Sequence, residues 1–264
     1  MPSKCFIVAG MDDRIDLLNR CVRCFKNSPY EKDDLYVYFQ GNHFDMVENK
    51  GVFKDVVIDE RPRGVFTPRY ELMKRYAKSY DYTVLIDDDL FITENTDYNG
   101  MMRVAEKLPY VGCVNCTTRS NAMSEIIEKR RWNEYYNIEG GMLFPRRSIE
   151  VILDYFKDKE KDYSHDVFWL LLWVKGYDWY KDWRSSSIHV GGKMINGEVT
   201  GYRKLAAQLD YEMIMPEWFE VPPVVNHYGK CQHDIPTMKQ AKEEAFIERM
   251  RNLKLLGREE KWGE

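Results

Sequence analysis

Long hydrophobic runs are missing from this chain of 264 residues. The greasiest stretch, VFWLLLWV at 167–174, falls well short of the ~18 apolar residues needed to span a bilayer. No membrane span is therefore expected. The opening MPSKCFIVAG holds an apolar run of strand length rather than a secretory leader, and a cytoplasmic protein is the expectation. An excess of positive charge is also missing. The 39 Lys and Arg face 43 Asp and Glu, a formal net charge of −4, so no basic footprint marks a nucleic-acid binder. The local basic cluster EKRRW at 128–132 reads as a solvated helix face. There is no internal repeat and no low-complexity segment. Disorder is not indicated either: 44% hydrophobic against 31% charged residues is enough to build a packed core.

Six cysteines are present, and two pairs have C-x-x-C spacing, CVRC at 21–24 and CVNC at 113–116. A four-Cys zinc site is disfavoured, because the first pair lies in an amphipathic helical pattern and the second ends an apolar strand. Reduced, buried thiols are expected instead. Around them the chain alternates. KCFIVAG is a buried strand and MDDR a polar turn. IDLLNRCVRCFKNS carries apolar residues at helical spacing. Strands follow at DDLYVYFQGN and FKDVVIDE, then a helix at PRYELMKRYAKSY with Pro68 near its first turn. YTVLID is a fourth strand, MMRVAEKLP a helix and YVGCVNC a further strand. NIEGGMLFPRRSIEVILDYF is a strand turning into a helix. SHDVFWLLLWVKGYDWY is a helix with Gly176 at its end, and SSSIHVGG a strand leading to a turn. This alternation predicts an α/β sandwich around a mainly parallel sheet. Residues 1–200 are expected to form the core, with donor binding in 1–95 and the acceptor and catalytic side in 96–200. Residues 201–264 would be an extension, a loop and a long charged helix packed on that core.

The stretch VLIDDDLFI at 84–92 stands out. Asp87, Asp88 and Asp89 end an apolar strand, where each carboxylate raises the cost of ionising its neighbours and burial raises it further. Something positive should offset them. In open α/β sheets ligands bind beyond the carboxyl ends of the strands, so the triplet occupies a functional position. Alternate carboxylates offer hard oxygen ligands for Mg²⁺ or Mn²⁺, and such a metal neutralises a diphosphate leaving group. The competing reading is an acidic turn that caps the next element.

The wider segment GVFTPRYELMKRYAKSYDYTVLIDDDLFI resembles the GT-A fold glycosyltransferases of the inverting, family-2-like group. There a Gly, an Arg opening a helix and a strand ending Asp-x-Asp follow in order, as Gly64, Arg69 and Asp87 to Asp89 do here. FIVAGMDDRIDLLNRCVRCFKNS is similar to that group's first strand and helix, with Gly10 on the donor side. IEGGMLFPRRSI resembles its acceptor-side segment. HDVFWLLLWVKGYDWYKDWRSSSIHVGG resembles its acidic helix start, Gly turn and strand ending in His. The likeness covers about residues 4–192. It implies a Rossmann-like α/β/α sandwich with a mainly parallel mixed sheet. It also implies transfer of a sugar from a nucleotide-diphosphate sugar, a UDP-sugar foremost, to an acceptor hydroxyl, with inversion.

Carried over by residue, Asp87 and Asp89 would bind Mn²⁺ or Mg²⁺. Asp88 would contact the donor ribose or sugar, Arg69 the nucleotide or its diphosphate, and Gly141 the sugar through close backbone approach. Asp166 would be the general base, and His189 or His227 would meet the metal or diphosphate, with Lys230 a further diphosphate contact. Each also has a reading in which it serves only the fold: Arg69 as a helix-end cation, Asp166 as an N-cap, His189 as a core histidine. The second strand departs from the group's acidic turn and ends in Gln40, Gly41 and Asn42, whose amides could hydrogen-bond a base. His165 stands where Glu is common before the base. The acceptor could be a glycan, a protein or hydroxymethylated phage DNA. The other function classes are a nucleotidyltransferase, against which the acidic AGMDDR speaks, and a non-catalytic nucleotide- or glycan-binding module.

Overall fold

The computed structural model describes residues 2–61, 63–119, 141–159, 167–189, 212–213, 224–225 and 243–258. The expected alternation is realised. In chain order the main elements are β1 (Lys4–Met11), α1 (Ile15–Lys26), β2 (Asp34–Gln40), β3 (Phe53–Asp59), α2 (Phe66–Tyr76), β4 (Tyr82–Asp87), β5 (Leu90–Phe91) and α3 (Tyr98–Lys107). Then follow β6 (Val111–Arg119), β7 (Met142–Pro145), α4 (Arg146–Phe156), α5 (Val167–Val174) and β8 (Asp178–His189). A two-residue pair, β9 (Glu212–Met213) with β10 (Val224–Val225), and α6 (Glu243–Leu255) complete the described chain.

The central sheet has eight strands in the order β3-β2-β1-β4-β7-β6-β8-β5. β1 is parallel to both β2 and β4, β2 is parallel to β3, and β6 is parallel to β8. β7 is antiparallel to β4 and β6, and β5 is antiparallel to β8. All the longer strands therefore point the same way, and their carboxyl ends share one edge.

Side chains alternate across each strand, so one strand feeds two cores. Cys5 and Ile7 of β1 join the apolar faces of α2, α4 and α5 on one side. Phe6 and Val8 join α1 and α3 on the other. The same alternation sends Cys113 and Cys116 to opposite faces of β6, so CVNC cannot close on one ion. All eight residues of α5 are buried, as its uninterrupted apolar run requires.

α5 ends at Val174, and Gly176 follows with φ +88°, a left-handed exit that suits glycine. The strand expected at 185 begins at Asp178 instead, because the chain turns back directly after that glycine to pair with β6. Trp179 then packs edge-on against Trp169 at 4.6 Å and donates its indole N–H to the Trp169 carbonyl at 3.0 Å. α6 docks on this corner. Arg249, almost wholly buried, donates to the carbonyls of Trp173 at 2.5 Å and Tyr177 at 3.2 Å. Asn252 donates to the Val174 carbonyl at 2.9 Å, so α6 satisfies carbonyls that the end of α5 leaves over.

Candidate active site

Four parallel strands, β3, β2, β1 and β4, lie side by side and release four loops at one edge. The loops after β1 and β4 carry the charge. Leaving β1, the chain makes a single tight turn, Asp12–Arg14, whose two outer members reach in opposite directions. Asp12 reaches to the loop after β2. Its carboxylate accepts the backbone N–H of Asn42 at 2.9 Å and of His43 at 3.0 Å, with the His43 ring at 3.0 Å. Burial alone would raise the Asp12 pKa, but these bonds outweigh it and hold the carboxyl low. Gly41 makes the approach possible. It has φ +138°, and a Cβ there would lie 2.2 Å from the Asp12 carboxylate.

Arg14 reaches the other way, to the triplet after β4. It is 6% exposed. Its Nε donates to both oxygens of Asp88 at 3.0 and 2.9 Å, and its Nη2 donates to Asp88 Oδ1 at 2.7 Å. The same Nη2 lies 2.8 Å from Asp89 Oδ2. The second cation is Arg69, in the first turn of α2 and 5% exposed. It donates Nη1 to the Val65 carbonyl at 2.7 Å and Nη2 to Asp87 Oδ1. Among the described residues two buried guanidiniums thus brace the three carboxylates. Burial, only partly offset by Arg14 and reinforced by Asp89 and Asp87, pushes Asp88 up to about 6. Arg14 is held more firmly protonated than usual: burial opposes its charge, but Asp88 and Asp89 overcome it. These tendencies pull the pair in opposite senses. The guanidinium keeps its proton either way, and the upward direction for Asp88 stands because one cation serves two carboxylates.

The other expected residues are distributed as follows. Asp87 is the most open of the triplet, its side chain 23% exposed, while Asp88 and Asp89 are buried. His189 ends β8 at the same edge, and its backbone pairs with Leu90, the residue after Asp89. Gln40 is buried, with its amide oxygen accepting the Arg63 N–H at 2.5 Å and its amide nitrogen donating to the Gly64 carbonyl at 3.1 Å. It clips the Arg63–Gly64 turn to the end of β2. Gly10 serves a close approach of β1 and α1, since a Cβ would meet Leu18 Cδ2 at 2.7 Å. Gly141 enters β7 with φ +68°, and a Cβ there would lie 2.8 Å from Cys116 Sγ and 2.9 Å from Tyr98 Oη. Asp166, His165, His227 and Lys230, and the EKRRW cluster, lie outside the described residues. Arg14 and Asp12 were not singled out in the sequence. The triplet demands a cation, but 39 Lys and Arg could have answered it.

The residue chemistry suits a hard divalent cation, because Asp87 and Asp89 offer carboxylate oxygens at the carboxyl end of a strand. Among the described residues no three His, Cys, Asp or Glu side chains are gathered as a complete cage.

No family model matches the chain, and no curated protein matches it in sequence. Solved structures do. A mannosyltransferase from Pyrobaculum calidifontis, determined with GDP-Man and Mn²⁺, aligns over 79% of this chain and 61% of its own, at TM-score 0.53 and 15% identity. S. aureus TarS 1–349 aligns over 72% and 61%, at TM-score 0.55 and 10% identity. GalNAc-T7, determined with UDP, GalNAc and Mn²⁺, aligns over 78% and 48%, at TM-score 0.53 and 9% identity. This chain spans less than two thirds of each neighbour's length. The likeness is one of fold, and the fold is the GT-A type: a mixed, mostly parallel sheet with helices on both faces. Among the described residues no helix is long and apolar enough to cross a membrane.

Proposed function

We propose that this chain is a metal-dependent glycosyltransferase that moves a sugar from a nucleotide-diphosphate donor, a UDP-sugar foremost, to an acceptor hydroxyl with inversion. The observation that carries the reading is the carboxylate triplet at the carboxyl end of β4, braced by two buried arginines within a GT-A type sheet. Three buried or half-buried acids with two dedicated cations are costly to assemble, and a turn that only caps the next element needs neither. Fold neighbours that carry nucleotide sugars or nucleotides with Mn²⁺ support the same assignment.

In this reading Asp87 and Asp89 hold the cation, with His189 beside them, since β8 brings its backbone opposite Leu90. When bound, Mn²⁺ or Mg²⁺ supplies charge neutralisation for the departing diphosphate. Arg69, which donates to Asp87, aims that carboxylate. Asp166 takes the proton from the acceptor hydroxyl on the face opposite the leaving group. The acceptor is a hydroxyl on a glycan, a protein or hydroxymethylated DNA.

A thermal-shift screen of UDP, GDP and their sugars, with and without Mn²⁺, tests the donor. Hydrolysis or transfer assays follow, with the anomeric configuration of the product determined by NMR. Metal-dependent stabilisation by a nucleotide and an inverted product are expected. Full turnover in excess EDTA, or retention of configuration, would overturn the reading.

A further inference from the structure

The expectation that Asp88 touches the donor leaves Arg14 without a function, and the geometry gives it one. Asp88 is 2% exposed, and both of its oxygens accept from a single guanidinium at 2.7–3.0 Å. A planar guanidinium bonds in fixed directions, so a carboxylate held by both Nε and Nη2 fixes the plane of the fork. That plane also aims Nη2 at Asp89 Oδ2, 2.8 Å away. The backbone under Arg14 is fixed as well. Two residues earlier, Asp12 is tied to Asn42 and His43 after β2. β1 lies between β2 and β4 in the sheet, so one short turn grips the loops on both sides of it.

We infer that Arg14 is a positioning residue anchored by Asp88, and that this buried clamp aims Asp89 while Asp88 itself contacts neither donor nor metal. The inference rests on the proposed glycosyltransferase reading and assigns the middle carboxylate of the triplet to the scaffold. Metal-site partners in the outer shell orient the carboxylates that ligate, and losing one typically costs about 10–100-fold in metal affinity.

The test is a double-mutant cycle on the full chain. Mn²⁺ affinity is read by electron paramagnetic resonance at saturating UDP, with GDP in parallel. Arg14→Met is expected to weaken Mn²⁺ by about 10–100-fold. Charge alone points the other way, because deleting a cation beside carboxylates should tighten a divalent ion. Asp88→Asn is expected to cost a similar factor, and the double variant no more than the worse single one. If the two losses multiply, Asp88 acts on the ligand independently and the clamp is refuted. Unchanged or tighter binding in Arg14→Met refutes it too. Should Arg14→Met lose its native far-UV spectrum, Arg14→Lys enters the same cycle. It keeps the charge without the fork, and a loss of about tenfold that does not multiply with Asp88→Asn is expected. If the unaltered chain binds no Mn²⁺ with either nucleotide, the glycosyltransferase reading falls and the clamp's role falls with it. Binding by the unaltered chain combined with multiplying losses removes the clamp alone.

Discussion

Replacing Arg69 by Met separates a donor contact from a buried brace. The side chain is 5% exposed and spends its donors on the Val65 carbonyl, at 2.7 Å, and on Asp87. Methionine fills much of the volume and supplies neither bond. The ion pair is a charge-assisted hydrogen bond, worth about 1.5–3 kcal/mol in such settings, and a neutral bond to a carbonyl adds about 1. Asp87 is 23% exposed, so water can take over part of its solvation and the lower half of that range applies. The expected loss is about 2.5–3 kcal/mol. For a chain of this size each kcal/mol moves the melting temperature by about 2–4 °C, so a drop of about 5–12 °C is expected. Differential scanning fluorimetry without ligand reads it directly. Asp87→Asn should account for part of the same loss, and the double variant should cost less than the sum, because the two groups meet. Calorimetry of nucleotide binding with Mn²⁺ then asks whether donor affinity falls along with stability. A melting temperature within 1 °C of the parent, or strictly additive losses, would refute the pairing on which this reasoning stands.

If Asp166 is the base as proposed, Asp166→Asn should still bind donor and Mn²⁺ while transfer falls by about two to four orders of magnitude; near-normal turnover would dismiss it. Asp89→Asn is expected to abolish Mn²⁺-dependent nucleotide binding with the fold intact, read by thermal shift with and without metal. Asp59 gives a pH prediction. Burial alone would raise its pKa, but the Arg63 guanidinium, the Arg61 N–H and the Tyr38 hydroxyl outweigh that and hold it at about 2. A depressed carboxyl stabilises the fold above its ordinary pKa and loses that contribution as pH falls towards 2. Asp59→Asn should therefore be less stable than the parent near neutrality by about 1 kcal/mol, discounted because Arg63 is 39% exposed. The gap should close between about pH 4 and pH 2 in urea melts, and a gap that persists at pH 2 would contradict the assignment.

Much of the architecture is written in short-range pattern. Period-two and helical spacing mark the elements from β1 to α4 in order, save the two-residue β5, the glycine after VFWLLLWV marks a helix exit, and three acids after an apolar strand mark a site. These signals depend only on neighbours within a few residues. The partners of the acids do not. Arg14 is 74 residues from Asp88 in sequence, and nothing local distinguishes it from other cations. It meets the triplet because β1 and β4 become adjacent parallel strands whose loops open on one edge. Gln40 has the chemistry of a base reader, yet the turn after β3 folds across it and takes its amide. His189 comes beside the triplet only through the antiparallel pairing of β5 with β8 across about a hundred residues. Sequence by itself therefore determined the elements and the site's negative charge. Tertiary structure decided which cation answers each carboxylate and which carboxylate is turned inward, because those choices depend on strand order, and strand order is set by long-range pairing.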